Sequence, residues 1–251
     1  MVFFLYFSEM KKIILLLFIP LVFNCSSDSS DDTGLSDNTQ LIDIDQNIYP
    51  VSEIADEFWT TQNLKTKTYR DGTPIPYVED PIEWENLTTG AWRYVNNDSS
   101  TEEKYGLLYN YYAVNNPKGL APEGSRIPSY SDFLHLTSYH GAPITSNTEE
   151  EIFLSFLTDD PEIPWNKDEF SYQGTNSTGF NLYPSGVQRS SVSSTLFGYG
   201  AILYSSSITD GPGAQDYPFT PRFTASSPSN LVIGEFQGDY YYGCAVRLIK
   251  E

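Results

Sequence analysis

Short blocks of apolar residues separated by polar turns run along most of this chain. Residues 41–44 alternate loosely between apolar and acidic positions, residues 45–47 have turn composition, and the apolar pattern resumes at residues 48–49. Two apolar runs that flank such a turn are typical of a β-hairpin. Residues 51–54 and 58–60 continue the pattern and predict two further short strands.

Two helices are predicted from apolar residues at helical spacing. The first begins after Ser129, whose hydroxyl can cap the helix while Asp132, three residues later, bonds back in a weak form of the capping box. The second begins near Thr148, where three consecutive glutamates suit the positive N-terminal end of a helix. The apolar stripes are Phe133 and Leu136 in the first helix, and Ile152, Phe153, Phe156 and Leu157 in the second.

The other segments are shorter or less regular. Asp80 can cap a short helix over residues 82–86, with a proline in its first turn. Residues 105–114 are apolar and aromatic, and they predict a buried strand or a turn of helix. Later short strands are predicted at residues 179–183, 202–206, 231–235 and 244–249. The whole pattern predicts an α+β domain with two helices in its first half, irregular sheet and long loops.

Residues 1–24 have the pattern of a secretory signal peptide. Lys11 and Lys12 precede an apolar run over residues 13–23, which is shorter than the roughly 20 apolar residues that span a bilayer. Met10 is an alternative start, because Met-Lys-Lys before an apolar run is the commoner opening of such a signal. Cys25 lies where a lipoprotein signal peptidase would cut, so we expect lipidation of Cys25; an ordinary signal peptide is the alternative.

Residues 25–40 predict a flexible tether between the lipidated Cys25 and a folded domain over residues 41–251, because they are rich in Ser, Asp and Thr. Acyl chains would hold the protein on a membrane, since each buried methylene contributes about 0.8 kcal/mol. The acidic tether resembles export signals of surface-displayed lipoproteins in some Gram-negative bacteria. We therefore expect an extracytoplasmic protein, an outer-membrane lipoprotein exposed at the cell surface.

The amino-acid composition limits the kinds of binding partner and of metal site that we expect. The formal net charge is −19, and so acidic a chain repels phosphate backbones, which argues against a nucleic-acid partner. Aromatic residues make up 15% of the chain, which is enough for a packed core without disulfides. Cys25 and Cys244 are the only cysteines, so a lipidated Cys25 leaves Cys244 without an intramolecular partner and excludes a cysteine-ligated zinc site.

Several segments taken together resemble one protein family. Residues 57–66 resemble an opening Trp-x-x-x-Asn-Leu-Lys-Thr, and residues 105–114 resemble a central Tyr-Gly-x-Leu-Tyr-Asn-Trp-Tyr-Ala-Val. Further matches lie at residues 69–75, 120–124, 127–129, 174–176, 179–180, 184–186 and 204–207. The combination is similar to the Fibrobacter succinogenes major paralogous domain, over residues 41–251.

This resemblance implies a C-type-lectin-like fold, related to the sulfatase-modifying-factor domain, with short, irregular antiparallel strands. The family occurs in secreted and lipid-anchored bacterial proteins, and its molecular function is largely undefined. Tyr111 and Tyr204 replace tryptophans of the family pattern. Cys244 stands in an aromatic position and Leu248 where a cysteine is usual, so the disulfide built on that cysteine cannot form.

No set of residues in the sequence forms a recognisable catalytic centre. Cys244 lies in a predicted strand, where apolar neighbours raise the pKa of a thiol and make it unreactive. His135 and His140 are five residues apart, which does not match a metal pair on a helix. No cofactor or metal is expected, and calcium stays an open alternative without a spaced calcium-loop motif. The acidic residues considered for calcium are Asp159, Asp160, Asp210 and Asp239.

Aromatic side chains are the better candidates for a ligand site, since flat rings stack on sugar faces and anchor protein contacts. Trp84, Trp92, Tyr240, Tyr241 and Tyr242 are the candidate ligand-binding residues, with burial in the core as the alternative. The sequence thus predicts a surface-anchored, non-catalytic binding or adhesion domain, whose partners are the membrane, through its lipid, and a glycan or an envelope protein. The alternatives are an extracytoplasmic enzyme acting on polysaccharide and a structural envelope protein.

Overall fold

The computed structural model describes residues 39–142, 144, 148–167, 170–189, 196–210, 216–227 and 230–251. The predicted signal peptide, the lipidation site Cys25 and most of the predicted tether lie outside these residues. Within the described part of the chain, no helix is long and apolar enough to cross a bilayer.

The described residues form a mixed α+β domain. Its strands are β1 (Gln40–Ile42), β2 (Ile48–Ile54), β3 (Glu57–Thr60), β4 (Trp92–Tyr94), β5 (Leu107–Tyr109), β6 (Ser125–Arg126), β7 (Trp165–Lys167), β8 (Phe170–Tyr172), β9 (Gly200–Ile202), β10 (Ile208–Asp210), β11 (Asp216–Ser227), β12 (Asn230–Gln237) and β13 (Ile249–Lys250). Its helices are α1 (Pro81–Glu85), α2 (Glu102–Tyr105), α3 (Tyr111–Val114), α4 (Tyr130–Tyr139) and α5 (Glu150–Phe156).

The largest sheet joins the two ends of the described chain. Its strands lie in the order β1-β2-β3-β13-β6, and every neighbouring pair is antiparallel. Ile249 on β13 is opposite Trp59 on one side and Arg126 on the other. Because β13 pairs along both of its edges, the last residues of the chain are required to complete this sheet.

The second sheet is built on a long antiparallel hairpin of β11 and β12, in which Phe223 is opposite Ile233. Strands β9 and β10 both pair with β11, at different positions along it. Two further antiparallel pairs, β4 with β5 and β7 with β8, stand apart from these sheets. The strands are thus mostly short, as the sequence pattern predicts, and antiparallel, as the family resemblance implies.

Aromatic side chains hold the helices and the two larger sheets together. The ring of Trp59, from the first sheet, has its centroid 5.2 Å from that of Phe133 on α4 and 5.5 Å from that of Phe180. Phe180 in turn stacks on Phe223 of the second sheet at 6.3 Å. All four side chains are fully buried. Burial of such large rings dominates the energetics of a core, so this contact chain fixes α4 against both sheets.

A buried arginine ties the C-terminal segment to the rest of the domain. The Arg247 guanidinium donates to Asn63 Oδ1 at 2.6 Å, to the carbonyl of Thr60 at 2.7 Å, to that of Phe180 at 2.9 Å and to that of Asn181 at 2.7 Å. Burial away from water lowers the pKa of Arg247 from its usual range. A buried charge is tolerated only when its hydrogen bonds are satisfied, and here four oxygens meet that requirement.

Most of the local predictions are confirmed. The predicted hairpin is β1 and β2, and the three predicted helices are α1, α4 and α5. The capping box of α4 is present, because the Asp132 N–H donates to Ser129 Oγ at 3.3 Å and the Ser129 N–H donates to Asp132 Oδ2 at 2.6 Å. Arg126 donates two further hydrogen bonds to the Asp132 carboxylate, at 2.5 and 3.1 Å, which fixes α4 beside β6.

The expectation of two helices in the first half is wrong in number and place. The short helices α1, α2 and α3 come first, while α4 and α5 begin past the middle of the 251-residue chain. Residues 105–114 contain both of the alternatives predicted for them, since β5 is followed directly by α3. Asn110 separates the two elements, because its side chain caps α3 and its backbone is extended.

Residues 179–183 do not form the predicted strand. Asn181 has a φ of 53°, in the left-handed region, which interrupts an extended run. The carbonyl groups of Phe180 and Asn181 turn toward Arg247 and accept its hydrogen bonds instead of those of a neighbouring strand. Residues 244–249 likewise make isolated bridges before the two-residue β13.

Candidate functional site

Tyr240 lines a concave pocket of about 250 Å³ that we call the tyrosine pocket. Aromatic rings, amides and hydroxyl groups line it together, which is the mixture expected of a small-molecule or glycan site. The lining residues are Thr88, Thr89, Gly90, Tyr111, Tyr112, Asn115, Asn116, Pro117 and Tyr240.

Three tyrosine rings form the aromatic side of this pocket. The half-buried rings of Tyr112 and Tyr240 lie nearly parallel, with centroids 5.6 Å apart and an angle of 30° between their planes. Tyr111 meets Tyr240 edge to face at 5.4 Å, and the Tyr111 N–H donates to the Tyr240 carbonyl at 2.9 Å. Burial, with a smaller effect of Tyr240, raises the pKa of Tyr111 to about 12, so this side chain stays neutral.

Asn110 connects the two walls of the tyrosine pocket. Its buried Oδ1 accepts the N–H groups of Ala113 on α3 and of Ala91, each at 3.0 Å, and its Nδ2 donates to the Thr89 carbonyl at 2.9 Å. One wall is α3 and the other is the loop before β4. Because a single amide side chain bonds to both, it holds the mouth of the pocket at a fixed width.

The loop wall approaches α3 so closely that it requires glycine. A Cβ atom added at Gly90 would lie 2.1 Å from the Tyr69 hydroxyl and 2.8 Å from the Ala113 Cα atom. Both distances are shorter than any real carbon contact, so a side chain at this position would push the loop away from the helix. The same close approach brings Thr88 and Thr89, both exposed, to the rim of the pocket.

Trp84 is buried in the core, and its predicted role in ligand binding is therefore corrected. The side chain has no exposed surface, and its Nε1 donates to the Tyr241 carbonyl at 2.5 Å. The Arg93 guanidinium covers the ring from a distance of 5.4 Å. No face of this ring is open to a ligand.

Trp92 is also buried, with 6% of its surface exposed. Its Nε1 donates to the Ile75 carbonyl at 3.0 Å, and Tyr77 covers its ring at a centroid distance of 4.7 Å. The exposed ring at this place on the surface is Tyr77, which the sequence did not single out. Trp92 thus supports an exposed tyrosine instead of meeting a ligand itself.

The tyrosine run at residues 240–242 divides between two environments. Tyr240 lines the tyrosine pocket, whereas the rings of Tyr241 and Tyr242 pack edge to face on each other at 5.1 Å. The Tyr242 carbonyl accepts from the Tyr204 hydroxyl at 2.7 Å, and the Arg189 guanidinium lies 5.6 Å from the Tyr242 ring. The structure therefore brings together Tyr240 with Tyr111 and Tyr112, which looked like core residues in an apolar run.

A second concavity adjoins the tyrosine pocket at Asn116, which lines both. This recess of about 540 Å³ also includes Arg70 and Ser206, and we call it the arginine groove. Asn116 is held in place, since its Nδ2 donates to the Tyr69 hydroxyl at 3.3 Å. The two concavities therefore form neighbouring parts of one recessed surface.

The histidines and the cysteine considered for catalysis or metal binding do not line this surface. His135 is exposed and lies 3.8 Å from the Asp56 carboxylate. Burial raises the pKa of the Cys244 thiol well above its usual range, as its apolar setting predicts. Among the residues that the structure describes, no group of three or more His, Cys, Asp or Glu side chains could hold a metal ion.

The family model of the Fibrobacter succinogenes major domain matches residues 53–250, most of the chain. The chain belongs to this family. No curated protein and no solved structure matches it significantly. Membership therefore identifies the domain without assigning it an activity.

The segments that resemble the Fibrobacter succinogenes major domain have two separate roles in this structure. Asn63, Arg247 and Phe180 join distant parts of the fold through the buried guanidinium. Asn110 and Tyr111, from the central motif, form and position the tyrosine pocket. The central motif of the family thus lies at a concave surface, and this is the strongest indication of a binding site.

Proposed function

We propose that this domain is a non-catalytic binding module and that the tyrosine pocket binds a glycan. The observation that carries the proposal is the pairing of Tyr112 and Tyr240 in a concavity whose remaining rim consists of amide and hydroxyl groups. A sugar has both apolar C–H faces and many hydroxyl groups, so it needs this combination. Aromatic rings with polar neighbours are the usual composition of such sites.

Each part of the pocket has a chemical role in this proposal. One ring of the stacked pair Tyr112 and Tyr240 offers its outer face, a flat apolar surface, to a pyranose, at a small entropic cost because the two rings already contact each other. Asn115 and Asn116 can both donate and accept hydrogen bonds, and so can the hydroxyls of Thr88 and Thr89. Because these groups are attached to a capped helix and to a loop fixed by Gly90, the site is formed before the ligand arrives.

The proposal includes the cellular setting and the finer fold. We propose that Cys25 carries a lipid, that residues 25–40 act as a tether, and that the domain stands outside the outer membrane with a C-type-lectin-like fold. The pattern of the first 25 residues supports the anchor, and the family supports the fold. A surface-anchored glycan-binding domain would attach the cell to polysaccharide or to another envelope component.

An enzyme acting on polysaccharide is the alternative, and it would need two carboxylates facing a cleft. A third concavity, of about 530 Å³, includes Glu79, Asp80 and Glu83 beside the exposed Tyr77. The Asp80 carboxylate is already engaged in capping α1, where it accepts the N–H groups of Ile82 and Glu83 at 2.8 Å. Glu79 also accepts a hydrogen bond, from Asn97 Nδ2 at 3.2 Å. Two of the three carboxylates in this concavity therefore already have structural partners, and we favour binding over hydrolysis.

Binding of the purified full chain to an immobilised glycan panel tests this proposal. We expect the wild-type chain to bind at least one class of glycan, and Tyr240→Ala to weaken that binding at least about tenfold, as loss of an aromatic contact at a binding centre does. Tyr139→Ala is the matched control, since Tyr139 is 60% exposed on α4 and lies outside the tyrosine pocket. Circular dichroism establishes that each variant is folded.

Two outcomes would count against glycan binding in this pocket. A wild-type chain that binds no glycan in the panel would remove the proposed ligand. Equal loss of binding in Tyr240→Ala and Tyr139→Ala would place the site elsewhere.

A further inference from the structure

We propose that the arginine groove binds a carboxylate of the ligand through Arg70, so that the glycan recognised by this domain is an acidic one, built with uronic-acid units. This inference rests on the proposed function, because it extends the tyrosine pocket into the neighbouring recess. It adds the class of glycan, which the aromatic rings alone do not determine.

The first observation is that Arg70 has no carboxylate within 4.0 Å among the described residues. The chain carries 33 acidic and 14 basic residues, so cations are scarce on its surface. Of the four lysines between residues 65 and 118, three are paired: Lys65 with Glu103, Lys67 with Glu102 and Lys104 with Glu162. An exposed arginine without a carboxylate partner is therefore available to an anionic ligand.

The second observation is that the Arg70 side chain is supported against backbone. The Arg70 N–H donates to the Gly119 carbonyl at 2.8 Å. A Cβ atom added at Gly119 would lie 2.9 Å from both Nε and Nη2 of Arg70, so the guanidinium lies directly against the glycine. Gly119 has a φ of 80°, which glycine adopts without strain. A guanidinium positioned in this way loses less entropy when it binds an anion.

The third observation is that Arg70 lines the arginine groove and also a second recess. It lines the arginine groove together with Asn116, Ser125, Ser129 and Ser206, and it also lines a smaller recess of about 250 Å³ beside Leu120. Arg126 lines the same groove, but its charge is neutralised by two hydrogen bonds to Asp132. Arg70 is therefore the cation in this groove that is open to a ligand.

These observations together favour a carboxylate over other anions. The planar fork of a guanidinium matches the two oxygens of a carboxylate, which it binds through parallel hydrogen bonds. Asn116 lines both the groove and the tyrosine pocket, so a chain of sugars can lie on the tyrosine rings while a uronic acid nearby reaches Arg70. The negative charge of the whole protein cannot produce a preference for acidic ligands, so any such preference has a local origin.

The test compares oligogalacturonate, oligoalginate and oligoglucuronate with their carboxyl-reduced, neutral forms. Titration calorimetry with the full chain at pH 7 and low salt measures each pair. We expect the wild-type chain to bind one acidic oligosaccharide at least about tenfold more tightly than its neutral form, as one charge-assisted bidentate contact allows. Arg70→Gln should remove this preference, so that the variant binds the acidic and the neutral form with equal affinity.

Lys104→Gln is the matched control, since it removes one exposed positive charge that pairs with Glu162, outside the groove. It should keep the preference for the acidic form. A preference that survives in Arg70→Gln, or that disappears equally in Lys104→Gln, would overturn the role of Arg70. Tighter binding of a sulfated glycan than of every carboxylated one would overturn the choice of carboxylate.

The same experiment separates this inference from the proposed function. If the wild-type chain binds acidic and neutral forms equally and Tyr240→Ala abolishes both, the tyrosine pocket is a glycan site and the inference about Arg70 is wrong. If the wild-type chain binds neither form of any pair, both the inference and glycan binding by these polymers are refuted.

Discussion

At the scale of single residues, the charges of this domain have contrasting settings. Arg247 is buried and donates to Asn63 and to three backbone carbonyls, whereas Arg70 is exposed and has no carboxylate partner within 4.0 Å among the described residues. A buried guanidinium that satisfies oxygens from separate segments acts as a structural junction. An exposed one beside a groove remains available for a ligand. The two arginines therefore differ in their proposed roles, Arg247 in stability and Arg70 in ligand recognition.

Replacement of Arg247 by lysine should destabilise the domain by about 2–4 kcal/mol. An ammonium has three donors and no planar fork, so it cannot serve the four oxygens around Arg247, and hydrogen bonds to a charged group contribute about 1.5–3 kcal/mol each. Urea unfolding followed by fluorescence measures the loss. Arg70→Lys is the control and should unfold like the wild type, since Arg70 is exposed. Equal stability of the two variants would mean that the buried network contributes nothing beyond charge.

At the scale of elements, the short helix α3 is defined by its cap and not by its length. A helix of four residues has no independent stability, because nucleation is costly. Asn110 compensates by accepting the Ala113 N–H, and the same side chain accepts the Ala91 N–H and donates to the Thr89 carbonyl. Both helix α3 and the tyrosine pocket thus depend on the side-chain amide of Asn110.

We predict that Asn110→Ala destabilises the domain by about 2 kcal/mol, because it removes a helix cap and leaves a buried N–H without a partner. The variant should also weaken glycan binding, since the two walls of the pocket lose their connection. Thermal unfolding and the glycan panel measure the two effects. Asn115→Ala, at an exposed position just past α3, should change stability by less than about 0.5 kcal/mol. A stable Asn110→Ala variant with normal binding would contradict the role given to the cap.

Elements with local signals were predictable from the sequence, and elements with distant partners were not. The capping box at Ser129 and Asp132 is contained in four residues, so α4 could be predicted correctly. The cap of α3 lies inside an aromatic run, where strand and helix signals overlap. The irregular backbone at Asn181 depends on Arg247, 66 residues away, which no local pattern reveals.

The candidate site was predictable in part for the same reason. Tyr240 could be selected by residue type and lies in the tyrosine pocket. Trp84 and Trp92 were selected by the same criterion and are buried, because residue type does not determine exposure. Tyr112 was missed, since an aromatic residue in an apolar run is indistinguishable from core until α3 turns it toward the surface.

At the scale of the whole molecule, one sheet contains both the first and the last strand of the described chain. Strand β13, near the C-terminus, lies between β3 and β6 in this sheet. Cys244 is a free, buried thiol beside Tyr109 and Tyr204, so within the described residues this cysteine contributes through packing and not through a disulfide. The two cysteines of the chain therefore have different expected roles. Cys244 packs in the core, whereas Cys25, which lies outside the described residues, is the proposed site of lipidation.

The two cysteines offer a matched test of the proposed anchor. We predict that Cys25→Ser moves the protein from the membrane fraction to the soluble fraction, whereas Cys244→Ala stays with the membrane. Each buried methylene of an acyl chain contributes about 0.8 kcal/mol, so removal of the chains abolishes anchoring instead of weakening it slightly. Immunoblots of fractionated cells measure the distribution, and mass spectrometry of the native protein detects the lipid. Because both variants lose one thiol, general effects of cysteine removal cancel. A Cys25→Ser variant that still sediments with membranes after removal of residues 1–24 would exclude a lipid at this position as the anchor.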